Sequence, residues 1–198
     1  MFTSLLDTCV LWPSKQRDFL LSLAVEGLYR PVWSSAVLEE LEFHEARKLI
    51  ERGTAPDDAA TLASSLIQNM RRAFIDSEVV GWEALEGAYG LPDADDEHVV
   101  AAAVIAGAGS IVTLNMKDFP QDLLPQRITV ISPADFAWET VNLSPTTALH
   151  AVEEMASRSG RNGPKETVDE ILDVLVSRYG MAAAVHSMRS VLPQREAE

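Results

Sequence analysis

The chain has 198 residues with 16 Lys and Arg against 30 Asp and Glu, a formal net charge of −14, and its 47% hydrophobic content is ample for a packed core. Length allows one domain with an appendage, or two small ones. The acid excess argues against a large basic nucleic-acid surface, no apolar run is long enough to span a membrane, and the N-terminus lacks a secretory pattern. A single cysteine, Cys9, excludes an internal disulfide and suits a reducing cytoplasm.

In chain order, Ser4 to Leu11 reads as a short buried strand that breaks at Asp7, an acid that needs a partner, a metal or a strand end to be tolerated there. Residues 15–26 form a helix with Phe19, Leu20, Leu23 and Ala24 on one face. Tyr29 to Trp33 is a second strand, weakened by Pro31. Ser34 or Ser35 caps a helix over 36–51, with Val37, Leu38, Leu41 and Leu49 toward the core. Pro56 opens another helix reaching Arg71 and Arg72. A short strand over 76–80 and a helical piece over 82–89 precede the most informative stretch.

That stretch runs from Leu91 to Phe119. Asp93, Asp95, Asp96 and Glu97 crowd the start of a small-residue helix. It ends near Gly107 to Gly109, and a short strand over 110–114 leads to Asn115 and Asp118. A last strand over 127–131 and a short helix over 134–139 close the first compact unit. Strands alternating with helices argue for a parallel sheet covered by helices. The remainder reads as a helical appendage: a linker at 142–145 with Ser144 as cap, a helix over 146–158, a loop over 159–164, an amphipathic helix over 165–179, and a final helix over 181–192. The expected division is residues 1–140 and 141–198. The first part holds 10 basic and 22 acidic residues, the second 6 and 8.

Ligands of open parallel sheets collect beyond the carboxyl ends of the strands. Asp7, Glu40, Asp93, Asp96 and Asn115 can all point to that rim. Carboxylates forced together repel unless a cation is present, and oxygen-only donors favour Mg²⁺ or Mn²⁺. Such a site activates water and steadies a phosphate, the logic of phosphodiester hydrolysis.

Four blocks carry a family resemblance: Leu5-Leu6-Asp7-Thr8, Val37-Leu38-Glu39-Glu40-Leu41, Pro92 to Ala103, and Thr113 to Phe119. In order and spacing the chain resembles PIN-domain proteins, VapC-type ribonuclease toxins of toxin–antitoxin systems above all, over roughly residues 1–135. The resemblance implies a three-layer α/β/α fold and a Mg²⁺- or Mn²⁺-dependent endoribonuclease leaving a 5′ phosphate. It also implies homodimerisation and a cognate antitoxin. Asp7, Glu40 and Asp96 match the first three family acids; Asn115 and Asp118 compete for the fourth place. Asp93 is an additional acid, metal ligand or N-cap, and Asp118 is alternatively a turn residue. Cys9 stands where many members carry serine. It also stands where a haloacid-dehalogenase phosphatase needs a second aspartate, which ranks that chemistry low.

Blander roles remain for other residues. His98 reads as a helix-surface or core-edge histidine, Cys9 as a small buried residue, Glu39 as solvated, and the four tryptophans as packing. Arg71 and Arg72 read as a solvated helix end, with RNA phosphate contact as the alternative. A second function is carried beside the nuclease: a catalytically weakened PIN-fold binding protein acting through partners.

Overall fold

The computed structural model describes residues 1–160 and 163–192; of the expected loop over 159–164, Arg161 and Asn162 lie outside the described residues. In chain order the elements are β1 (Thr3–Leu6), α1 (Thr8–Leu11), α2 (Ser14–Val25), β2 (Arg30–Ser34), α3 (Ser35–Glu51), α4 (Pro56–Ala73) and β3 (Glu78–Val79). Two 3-10 turns, Trp82–Leu85 and Ala94–Asp96, precede α5 (Glu97–Ile105) and β4 (Ser110–Val112). Two more, Met116–Asp118 and Gln121–Leu123, precede β5 (Thr129–Ile131). The chain continues as α6 (Pro133–Leu143), α7 (Pro145–Arg158), α8 (Val168–Tyr179) and α9 (Ala182–Arg189). None of the described helices is long and apolar enough to cross a membrane.

Packing separates two units. One, residues 2–13 and 30–131, holds a five-stranded sheet in the order β3-β2-β1-β4-β5, every pair parallel. The expected α/β class with a central parallel sheet is the one observed. β1 is central, and Leu5 and Leu6 are fully buried, as parallel strands require when helices cover them. The chain builds outward from β1 through β2 to β3, then returns to the other side of β1 with β4. That reversal creates a crevice beyond the carboxyl ends of β1 and β4. α5 packs on β2, β1 and β4, and its alanines Ala101, Ala102 and Ala103 are all fully buried.

Pro31 sits in β2, an interior strand, yet loses nothing by lacking an N–H. Arg30 donates to the Phe2 carbonyl on the β1 side and Trp33 to the Ser77 carbonyl on the β3 side. Alternation puts the missing donor of Pro31 on the β3 side, before that two-residue strand begins; β3 pairs only with Trp33 and Ser34. The first strand is shorter than expected, because the chain turns at Asp7 and Thr8 to Leu11 coil into α1.

The other unit groups residues 14–29 with the described residues of 132–192, so α2 packs with α7 while α6 packs with α9. The expected boundary at residue 140 follows chain order, whereas this grouping follows packing. Tyr29 meets Phe136 edge-on at 4.8 Å and donates its hydroxyl to the Leu20 carbonyl. Arg158 bridges to Asp18 and Ser22, and Lys15 pairs with Glu166. The expected linker at 142–145 is a correction: α6 runs through Leu143, and Ser144 both ends it and caps α7, accepting from Thr147 N–H. α8 opens with a capping box between Thr167 and Glu170.

Candidate active site

At the crevice a cavity of about 330 Å³ is lined by Asp7, Thr8, Cys9, Trp12, Glu40, His44, Asp96 and Asn115. Four of the expected site residues therefore meet in one place, contributed by four separate segments.

Asp7 follows β1 and is almost fully buried. Its amide donates to the Val112 carbonyl of β4, and its carbonyl accepts from the Val10 and Leu11 amides of α1. Its Oδ2 accepts from Thr113 Oγ1 at 2.6 Å and from Cys9 Sγ at 3.0 Å. Both donors engage one oxygen, which leaves Oδ1 for the cavity. The Thr113 hydroxyl is itself oriented by accepting from Asn115 N–H at 3.0 Å. Burial and then the adjacent Asp7 carboxylate push the Cys9 thiol up to about 12. At neutral pH it is therefore an S–H donor and not a thiolate. Cys9 is half-buried, more accessible than the sequence suggests.

Glu40 projects from the second turn of α3. Its Oε2 accepts from Thr8 Oγ1 at 2.6 Å, and its Oε1 stands 3.4 Å from His98 Nε2. Partial burial acts to raise its proton affinity, but the hydrogen bonds from His98 and Thr8 and the fields of His98 and His44 outweigh it, so its carboxyl lies below the usual range. His98 is buried on α5 and tilts against Trp82 at 5.7 Å. Its Nδ1 meets Ser34 Oγ at 2.8 Å. Ser34 Oγ already accepts from Val37 N–H as the cap of α3, so its proton is free to go to Nδ1. That tautomer leaves Nε2–H facing Glu40. The expected surface or core-edge histidine is thus a buried strut under the second acid.

Asp96 ends the 3-10 turn before α5. Partial burial, then the charges of Asp7, Asp93 and Asp118, raise its carboxyl to about 6, with His98 opposing. Asp93 and Asp118 do not line the cavity, yet both lie close enough for their fields to reach Asp96. Asp93 caps the 3-10 turn, accepting from Asp95 N–H at 3.0 Å. Asp118 closes the 3-10 turn after β4, its amide donating to the Asn115 carbonyl. Glu97, which the sequence places in the same acidic crowd, is buried and turned away. It accepts from Tyr89 N–H at 3.1 Å and Leu91 N–H at 2.9 Å, fastening the loop that delivers Asp93 and Asp96.

Arg71 and Arg72 lie in the last turn of α4 and do not line the cavity. The Arg71 guanidinium is engaged with both Glu78 oxygens, at 2.6 and 2.9 Å. Sequence reasoning missed Thr8, Thr113, Ser34, His98, Trp12 and His44 as parts of the site. Only Thr8, beside Asp7, and Thr113, at the end of β4, carried a positional hint.

Oxygen donors on a crowded acidic rim fit a hard divalent cation, and the charges of Asp7, Asp93 and Asp118, which add to burial in raising Asp96, are what such a cation would relieve. As the side chains stand, no three His, Cys, Asp or Glu groups among the described residues are drawn into a ready metal cage.

Fold and rim together define a parallel α/β protein with a carboxylate-lined cavity at its topological switch point. The chain belongs to the PIN domain family, whose model matches residues 3–117. A curated relative, "Putative ribonuclease VapC50" of Mycobacterium tuberculosis (strain ATCC 25618 / H37Rv), is 47% identical over 49 residues. That match covers 24% of this chain and 29% of the relative, well under two thirds of its length. No solved structure matches the chain significantly.

Proposed function

We propose that the chain is a divalent-metal-dependent endoribonuclease, the toxin of a type II toxin–antitoxin pair. The observation that carries this reading is the convergence of Asp7, Glu40, Asp96 and Asn115 on one cavity, with Asp93 and Asp118 close enough to raise the proton affinity of Asp96. Membership of the PIN family and the ribonuclease name of the mycobacterial relative support it.

In this reading Asp7 and Asp96 hold Mg²⁺ or Mn²⁺, with Glu40, Asp93 and either Asn115 or Asp118 completing or supporting the site. A bound ion supplies an acidified water and neutralises phosphate charge. The protein's own contribution is positioning. Thr113 and Cys9 pin one Asp7 oxygen so that the other faces the cavity. Thr8 and His98 hold Glu40 ionised, ready to orient the attacking water. Asp96, the carboxylate whose charge is least favoured by its surroundings, is the one a cation would stabilise most. Asn115 lines the cavity and Asp118 does not, which favours Asn115 for direct contact and leaves Asp118 an electrostatic part. The paired Arg71 is poorly placed for phosphate, which weakens the expectation for it and Arg72.

The same reading makes residues 1–140 the nuclease domain, RNA the substrate, and a cognate antitoxin and a second copy of the chain the partners, in the cytoplasm. The open metal arrangement and the neutral Asn115 favour one alternative, a PIN-fold binding protein with weakened catalysis. Cleavage of RNA with Mn²⁺ by the parent and by Asp7→Asn separates the two. Loss of cleavage in Asp7→Asn supports the nuclease; equal activity in both overturns it.

A further inference from the structure

The cavity has a wall that the carboxylates do not explain. Trp12 and His44 line it together with the acids, and both are exposed, Trp12 at 43%. Trp33 and Trp82 are buried; Trp138, 45% exposed, lies in the helical unit and does not line this cavity, so what sets Trp12 apart is its place on the carboxylate-lined wall. An exposed tryptophan beside a polar cavity forgoes a large apolar burial, so it calls for a ligand.

The rings are arranged edge to face. His44 meets Trp12 at 6.2 Å with 62° between planes, and Phe43, 63% exposed, meets His44 at 5.5 Å and 72°. Contacts of this kind use ring edges and do not stack the faces on one another. Lys48, ion-paired with Glu45 at 2.6 Å, holds its ammonium 5.9 Å from the Trp12 ring centre and backs the wall. The mount is stiff. The Trp12 amide donates to the Thr8 carbonyl at 2.8 Å, so Trp12 ends the short helical turn that Asp7 begins. The first acid and the aromatic wall are two ends of one turn.

We infer that Trp12 and His44 are a nucleobase-stacking platform that sets an unpaired base beside the phosphate to be cleaved. This rests on the ribonuclease reading and extends it to the side chains that hold the substrate's base. A cavity of about 330 Å³ lies at the small end of ligand sites. It has room for about one nucleotide and not for a duplex. Ring faces accept only bases released from pairing, and each stacked base contributes about 1–3 kcal/mol whatever its identity. With few basic residues on the chain, stacking adds to the bound ion in offsetting the repulsion between an acidic protein and RNA.

The test measures binding apart from cleavage. Fluorescence anisotropy of a 5′-fluorescein-labelled, unstructured RNA about a dozen nucleotides long is followed with Asp7→Asn protein in Mn²⁺. Trp12→Ala and Trp12→Phe are added on that background, with circular dichroism to verify folding. The proposal expects Trp12→Ala to weaken binding at least about tenfold, Trp12→Phe to restore most of it, and a duplex of the same sequence to bind much more weakly. In the otherwise native protein, Trp12→Ala then lowers kcat/KM, chiefly by raising KM. Unchanged RNA affinity in a folded Trp12→Ala overturns the platform even when the parent cleaves RNA. So does equal affinity for duplex. Unchanged RNA affinity with loss of self-association in size-exclusion chromatography overturns it in favour of a protein interface. A parent that binds single strands through Trp12 but never cleaves refutes the nuclease reading and leaves the platform standing.

Discussion

Asp96→Asn offers a test in which stability and function move in opposite directions. The folded chain raises the Asp96 carboxyl from an ordinary 3.8 to about 6. Burial comes first among the causes, then Asp7, Asp93 and Asp118. The folded state is then the better proton binder between about pH 4 and pH 6, and stability falls as pH rises through that window. Below it both states hold the proton; above it neither does, and the full penalty remains. At about 1.4 kcal/mol per pH unit the penalty approaches about 3 kcal/mol. The carboxyl is only partly buried, so solvent screening reduces this to about 1–2 kcal/mol. Asparagine keeps the shape and cannot ionise. In EDTA near neutral pH, urea unfolding is expected to show Asp96→Asn more stable than the parent by about 1–2 kcal/mol, with the gap closing near pH 4. Mn²⁺ should stabilise the parent and do little for the variant, while RNA cleavage by the variant is lost. A variant that is less stable than the parent in EDTA at neutral pH, or a gap of equal size at both pH values, refutes the reasoning.

Three further outcomes follow from geometry elsewhere. Ser34→Ala removes the cap of α3 and the Nδ1 partner of His98, both buried; it should cost about 2 kcal/mol in urea unfolding. Glu97→Ala strands the Tyr89 and Leu91 amides. It should cost about 2–3 kcal/mol and speed hydrogen exchange at those two positions, with Glu97→Gln retaining part of the protection. The Thr167 amide and then its hydroxyl hold the Glu170 carboxyl below its usual range. Its contribution to α8 is present above the unfolded value and lost as pH falls through the folded one, so protection factors in the first turn of α8 should fall on acidification in the parent and stay flat in Glu170→Gln.

The sequence carried the acids that meet at the cavity but not what holds them. Asp7 was legible because an acid closing an apolar run needs a reason, and Asp96 because acids crowd one helix start. Asn115 was legible as the residue after a strand in a parallel fold. The supports were hidden. Thr8 reaches Glu40 across 32 positions, Ser34 reaches His98 across 64, and Thr113 reaches Asp7 across 106. No periodicity encodes such pairings, because each depends on two segments arriving together. The role of Glu97 was hidden for the same reason. In the sequence it is one more acid in a run, and only the return of the Tyr89–Leu91 loop makes it an anchor. Pro31 argued against a strand by a sound rule, overridden because β3 is too short to need the donor.

The bond from Thr113 to Asp7 ties the head of the site to the pairing of β1 with β4. Ser4, Leu5 and Leu6 align with Ser110, Ile111 and Val112, and Thr113 is the next residue along. Side chains alternate sides along a strand, so a slip of one residue between these strands would turn the Thr113 hydroxyl away and release the carboxylate it fixes. The first acid is therefore a gauge of strand alignment: a misthreaded sheet can be compact and still lack a working rim. Activity in this protein reports on register as much as on folding.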